Sequence, residues 1–147
     1  MRGAIGVQPS VPLFMRSSIR EAGVNMIAKL PELVNGDERL VWRGRFLTVD
    51  FLVEVGDIPY YVSIQSGRIT SVDRGPFPMR PWRFAVRATA EAWERLWEPV
   101  PRPGYTDILG MMKLGEAKIE GDLQPFMANL RYIKEILVTP RRLRGGC

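Results

Sequence analysis

Residues 113–137, KLGEAKIEGDLQPFMANLRYIKEIL, decide how the rest of the chain is read. Ala117-Lys118-Ile119-Glu120 alternate, so Ala117 and Ile119 share one face of a short strand. Gly121 permits a sharp turn, and Asp122 is suited to cap a helix by accepting a bond from a first-turn N–H. Leu123, Phe126, Met127, Leu130, Ile133 and Leu137 then recur at helical spacing and form one apolar stripe. Pro125 falls in the first helical turn, where its missing N–H does little harm. The stretch predicts a strand, a Gly-Asp turn and a closing amphipathic helix over Asp122–Leu137.

Upstream, the β signal is period two. In Arg45–Val55 the residues Leu47, Val49, Phe51, Val53 and Val55 take every second place, with Thr48, Asp50 and Glu54 opposite. A second strand follows Gly56-Asp57-Ile58-Pro59 and puts Tyr60, Val62 and Ile64 on one face. Ser66-Gly67 reads as a two-residue hairpin loop leading into Arg68–Val72. After the Pro-rich stretch 75–81, Phe84, Val86 and Ala88 alternate with Arg83, Ala85 and Arg87 in a fourth strand; Ala117–Glu120 is the fifth.

Helices frame these strands. Ser18-Ile19-Arg20-Glu21 fits a capping box, and Ile19, Ala22, Met26, Ile27, Leu30 and Leu33 continue as a stripe that Pro31 should stop or kink near Leu30. Thr89 can cap a helix carrying Ala92, Trp93, Leu96 and Trp97, and a further helix is expected over about Tyr105–Leu114. Residues 1–16 read as an arm, 17–139 as one domain and 140–147 as a frayed basic tail. The expected class is α+β, a five-stranded and mainly antiparallel sheet with helices covering one face.

The order of these motifs resembles the sterol carrier protein 2 (SCP2) superfamily. The strand pair YYVSIQSGRITSV, the strand-to-helix segment FAVRATAEAWERLW and the closing KIEGDLQPFMANL follow that family's sequence of elements over roughly residues 17–138. Pro99–Pro103 and the bulky Trp93 and Trp97 stand where the family often has a Gly-rich turn and small residues. The resemblance implies a non-catalytic domain that binds or transfers an apolar lipid in a pocket between sheet and helices. The ligand would be a fatty acid, a fatty acyl-CoA, a sterol-like molecule or an isoprenoid lipid. It also implies an alternative, since some SCP2-like domains are accessory proteins of lipid or quinone biosynthetic assemblies. The pocket role passes to Leu123, Phe126, Met127 and Leu130 of the closing stripe and to the middle-helix residues Trp93, Leu96, Trp97, Ile108, Leu109, Met111 and Met112.

Those residues have an ordinary reading beside the functional one. Fully burying each large apolar side chain stabilises by roughly 1.5–3 kcal/mol, so a packed core alone would account for them. Methionine's flexibility and the position between a sheet and its covering helices favour a cavity.

Composition narrows the function classes. The chain has 147 residues, 46% hydrophobic and 25% charged, which suits one globular domain. Gln8, Pro9 and Pro12 interrupt the N-terminal apolar residues and make a poor signal-peptide core, so a cytoplasmic protein is expected. The single cysteine, Cys147, excludes an internal disulfide and agrees with a reducing compartment. With no histidine, the commonest general base and metal ligand is missing; no P-loop or dinucleotide fingerprint occurs, so no enzyme, metal site or cofactor is expected.

The net charge is +5 and the pI near 9.8. Such an excess can be simply solubilising, or it can draw the tail residues Arg141, Arg142 and Arg144 to an anionic membrane surface. Nucleic acid fits less well, because the tryptophans fall at helix positions that pack inward and the basic residues form no stripe. Arg80, Arg83 and Arg87 could hold a lipid headgroup, although Arg83 and Arg87 alternate away from the core residues of their strand.

Overall fold

The computed structural model describes residues 26–75 and 80–144, and in it all five alternating segments join one sheet. The strands are β1 (Val49–Val55), β2 (Ile58–Gln65), β3 (Arg68–Arg74), β4 (Phe84–Ala88) and β5 (Ala117–Gly121). Their order across the sheet is β3-β2-β1-β4-β5. Three pairings are antiparallel, but β1 and β4 run parallel, with Phe51 opposite Phe84 and Val55 opposite Ala88. The sheet is therefore mixed. The cause is the connection between β3 and β4: the Gly75 N–H bonds to Pro59 O near one end of the sheet, and the Arg83 N–H to Asp50 O near the other. The chain is carried back before it enters β4, which then starts at the same end as β1.

Ser66-Gly67 forms the expected hairpin. Ser66 has φ 52° and Gly67 φ 81°, and two positive φ values are what a type I′ turn requires to match the strand twist. β1 begins at Val49 rather than Arg45, because residues 44–47 fold into a turn in which the Leu47 N–H donates to Gly44 O at 2.8 Å.

Alternation gives the sheet two unlike faces. Val49, Phe51, Val53, Val55, Tyr60, Val62, Ile64, Phe84 and Val86 form a buried inner floor. On the outer face, Arg87 is paired with both Glu54 and Glu120, and Lys118 reaches Glu120 at 3.1 Å. Tyr61 also lies there, yet it is buried because the Arg80 guanidinium stacks over its ring at 3.7 Å and its hydroxyl donates to Pro81 O.

Two helices precede the sheet, α1 (Leu30–Asn35) and α2 (Glu38–Arg43). Residues 26–28 are helical and the break falls at Lys29, next to the position near Leu30 where Pro31 is expected to stop or kink the helix. Pro31 itself lies in the first turn of α1, where its missing N–H does little harm. The Ser18–Glu21 box and the arm over 1–16 lie outside the described residues. The Asn35 side chain bonds both backbone groups of Ile69 in β3, at 2.8 and 2.9 Å. Helix α2 had no forerunner in the periodicity, because a single residue of it, Leu40, is fully buried; its signal is the cap, Asp37, which accepts from the Leu40 N–H at 3.2 Å.

Between β4 and β5 stand α3 (Ala90–Leu96), capped by Thr89 as expected, and α4 (Ile108–Lys113), shorter than expected because Asp107 caps it. The closing helix differs from the expected single element. It divides at Asn129 into α5 (Leu123–Ala128) and α6 (Leu130–Val138), and the Asn129 side-chain amide donates to Pro125 O at 3.0 Å. Asn129 takes φ −122° and ψ 30°, outside the helical region, so the backbone turns there.

The basic tail differs as well. Thr139–Arg144 form a 3-10 helix, and Arg141 is buried with its guanidinium on the carbonyls of Leu96, Tyr105 and Thr106. Arg142 pairs with Asp37 at 3.0 Å and Arg144 with Glu94 at 2.7 Å. The three arginines are engaged by the fold, where the sequence suggested a loose cationic end free to meet a membrane; residues 145–147 lie outside the described part.

Candidate functional site

The inner floor of the sheet and the helices over it are where most of the expected pocket residues meet. Phe51 and Phe84, neighbours across the parallel pair, stack with centroids 4.8 Å apart, and Phe126 of α5 meets Phe84 edge-on at 5.7 Å. This aromatic pile joins the middle of the floor to the closing segment. Trp93 and Trp97, one helical turn apart, stack at 5.5 Å. Each indole N–H finds a carbonyl: Trp93 donates to Glu54 O at 2.7 Å and Trp97 to Leu137 O at 2.8 Å. These bonds seat α3 on the end of β1 and against α6.

Of the expected pocket residues, Trp93, Leu96, Trp97, Ile108, Met111 and Phe126 are fully buried members of the core. Leu109 and Leu130 pack against it half-buried, and Met112 is half-buried. Leu123 and Met127 of α5 point outward, 47% and 57% exposed. Their place in the stripe was read from a single straight helix, and the turn at Asn129 rotates the first segment away from it.

One polar atom sits in this apolar setting without a partner. Tyr60, on the inner floor, is 2% exposed, and its hydroxyl accepts and donates no hydrogen bond among the described residues. Burial pushes its pKa up, against a weaker opposite pull from Arg74, so the group stays a neutral donor. Tyr132 of α6 shows the contrast, since its equally buried hydroxyl donates to Gly67 O at 2.7 Å. Tyr60 read simply as a core aromatic in the sequence; only the packing reveals an orphan hydroxyl.

Charged groups tie the roof to its surroundings. Asp107 caps α4 through the Gly110 N–H at 3.0 Å and pairs with Lys134 of α6 at 3.3 Å. Burial raises its pKa, but the Gly110 bond and Lys134 outweigh that and hold it below its ordinary value. Arg80, Arg83 and Arg87, the candidate headgroup ligands, all carry carboxylate partners instead, Asp73, Asp122 and the Glu54–Glu120 pair. The structure brings none of them to the inner floor.

Open clefts lie elsewhere on the described surface. One of about 380 Å³ is lined by Gly56, Arg87, Thr89, Glu116 and Lys118, and one of about 320 Å³ by Glu38, Arg39, Trp42 and Arg43. Among the described residues no cluster of acidic or thiol side chains is placed to hold a metal ion, and no helix is long and apolar enough to cross a membrane.

This α+β fold has counterparts among solved structures. A crystal structure of sterol carrier protein 2 superposes with a TM-score of 0.63 at 11% identity, covering 80% of this chain and 94% of that one. The fold is SCP2-like. A solution structure of a conserved hypothetical protein from Thermus thermophilus, described as possibly a sterol carrier protein, matches the SCP2-like chain with a TM-score of 0.57. Its identity is 11%, and the match covers 81% of this chain and 85% of that one. A ubiquinone synthesis protein, UbiJ-SCP2, shares 15% identity over 90% of this chain and 98% of its own, with a TM-score of 0.45. No family model and no curated protein matches the sequence. The SCP2-like fold was legible from the order of motifs alone, without sequence identity to support it.

Proposed function

We propose that the chain is a non-catalytic carrier that binds one apolar lipid between the inner floor and the helices. The observation that carries this reading is that floor: a continuous apolar surface roofed by helices, with the Tyr60 hydroxyl buried in it and unbonded among the described residues. A buried hydroxyl left without a partner costs about 1–3 kcal/mol. A lipid that brings one oxygen, as a carboxylate, ester or sterol hydroxyl, would relieve that cost while its chain displaces packed side chains. A fatty acid, a fatty acyl-CoA, a sterol-like molecule or an isoprenoid lipid meets this description. Similarity of fold to the sterol carrier protein 2 structure supports the same class.

Lipid uptake requires the roof to give way. Trp93, Leu96, Trp97, Ile108, Leu109, Met111, Met112 and Phe126 would then line the chain-binding space, with Leu123, Met127 and Leu130 toward its outer side. The element best placed to move is α5, which buries Pro125 and Phe126 and is followed by the turn at Asn129. Helix α6 is held in place by Tyr132, by the Trp97 bond to Leu137 and by Lys134 on Asp107.

Mass spectrometry of the native protein, followed by organic extraction, tests the reading. A stoichiometric lipid, or one taken up from oleate, palmitoyl-CoA or a sterol, is the expected result. An apo mass that stays unchanged with all three would overturn it. That outcome would favour a second reading, an accessory protein that works through its surface. The complete burial of Trp93, Leu96, Trp97 and Met111 in the packed core is the observation on its side.

A further inference from the structure

Among the described residues, the largest exposed aromatic surface lies at the opposite side of α2 from its one buried residue. Trp42 is 64% exposed and Phe46 87% exposed. They form one continuous stack, because the Arg45 guanidinium sits 3.6 Å from the Trp42 ring centroid and 4.5 Å from that of Phe46. A bond of 2.7 Å from Arg45 to Trp42 O fixes the arrangement. Large aromatic rings are normally buried, so two held outward with a cation between them need a reason.

The stack stands on a rigid base. Gly67 at the tip of the β2–β3 hairpin packs so closely on the Val41 carbonyl and on Gly44 that a Cβ there would meet them at 2.4 and 2.7 Å. The Gly67 N–H donates to Leu47 O at 3.2 Å, and Tyr132 bonds the Gly67 carbonyl from the core. Loop 44–47 and the hairpin tip therefore form one end of the molecule. Among the described residues Arg39, Arg45 and Arg68 at this end make no ion pair, whereas Arg43 is taken by Glu135. Glu38 is the acidic neighbour in the adjoining cleft.

We propose that Trp42, Arg45 and Phe46, flanked by Arg39 and Arg68, form a docking tip for an anionic phospholipid surface. Indole and phenyl rings settle at the boundary between headgroups and acyl chains, and guanidinium groups pair with lipid phosphates from the same depth. Unpaired positive charge around the rings selects a negatively charged bilayer over a neutral one. A protein partner is a weaker fit, because the adjoining cleft is open and lined mainly by the charged Glu38, Arg39 and Arg43. The inference concerns the outer surface and does not depend on lipid uptake into the core.

Sedimentation of the full chain with phosphatidylcholine vesicles, with and without about 30 mol % phosphatidylserine, tests it. The chain should pellet with the anionic vesicles, and binding should weaken as salt is raised. Phe46→Ser should reduce vesicle affinity by about tenfold or more, and Arg45→Gln by severalfold, with the melting temperature little changed because both side chains are at the surface. Trp42→Ser serves as an independent third variant. Absence of binding to either vesicle, or binding that all three variants retain, overturns the proposal. Self-association that Phe46→Ser abolishes, without vesicle binding, also overturns it by assigning the stack to contact between proteins. Lipid uptake measured by mass spectrometry should be unaffected in Phe46→Ser, so failure of docking and failure of carriage are read separately.

Discussion

Arg141 shows how far a residue's environment can depart from its sequence context. It stands among arginines and glycines in a segment that reads as a loose tail, yet its guanidinium holds the carbonyls that end α3 and precede α4. Burial lowers its pKa, though an arginine stays charged at any ordinary pH. The fork places Nε and Nη2 on Leu96 O while Nη2 also reaches Tyr105 O and Thr106 O, a spread that a single ammonium does not reproduce. Arg141→Lys should therefore lower stability by about 2–3 kcal/mol in urea unfolding, while Arg142→Lys should change it by less than about 1 kcal/mol. Equal effects would show that the 3-10 segment is not held by this side chain. No local pattern marks one of three arginines as structural. That distinction arises only when α3 and α4 present unpaired carbonyls to it.

Asp107 belongs to the same scale. Its pKa is held below the ordinary 3.8, so the folded state binds its proton less readily than the unfolded state. The stabilisation it gives is present above that ordinary value and disappears as pH falls through the folded pKa. Asp107→Asn should therefore lower the melting temperature near pH 7, and the gap to the parent should close as pH drops below about 4. A gap that persists unchanged to pH 2 would mean that the substitution acts through something other than the carboxylate charge.

At the scale of elements, sequence was most informative where one residue type has one physical use. Ser66-Gly67, Thr89 and Asp122 were identified as turn or caps from their chemistry, and each takes that place. Gly67→Ala tests the hairpin directly. The new methyl group would meet Val41 O and Gly44 at distances no side chain tolerates, in a backbone region that disfavours it. A loss of about 2 kcal/mol or more is expected, and a loss below about 0.5 kcal/mol would mean that the tip can rearrange without disturbing α2. Elsewhere the elements exceeded what local pattern holds. Apolar spacing runs unbroken from Leu123 to Leu137, and nothing in it reveals that Asn129 divides the helix, because the division depends on a side-chain bond back to Pro125. The same straight-helix assumption placed Leu123 and Met127 in the pocket lining. Period two likewise specifies a strand's two faces but not its direction, so the parallel pairing of β4 with β1 was not legible.

For the whole molecule, the last helix closes the core that the first strands open. Tyr132, Ile133, Ile136 and Leu137 are all buried, and burying four such side chains contributes roughly 6–12 kcal/mol, comparable with the entire stability of a small domain. A chain ending after Asn129 should lose cooperative thermal unfolding and bind hydrophobic dye; retention of a sharp transition would show that the sheet and upstream helices suffice. The candidate site was legible at this scale only in outline. Trp93, Trp97 and Met111, expected beside the inner face, are buried in the core, whereas Met127 and Trp42 turn outward; whether the buried ones enclose space or fill it is decided by packing. The orphan Tyr60 hydroxyl and the outward Trp42–Arg45–Phe46 stack both arise from packing too.

A last consequence concerns the contact of Asn35 with Ile69. β3 is an outermost strand, and such a strand offers its free backbone groups to any other chain that comes near. The Asn35 amide occupies both groups of Ile69 as a strand of another molecule would, and a register slip between Ser63 and Ile64 disturbs the ladder alongside. One carboxamide on a six-residue helix thus acts as a stopper against sheet-to-sheet polymerisation along that side, a safeguard for a chain that keeps so much of its β surface apolar.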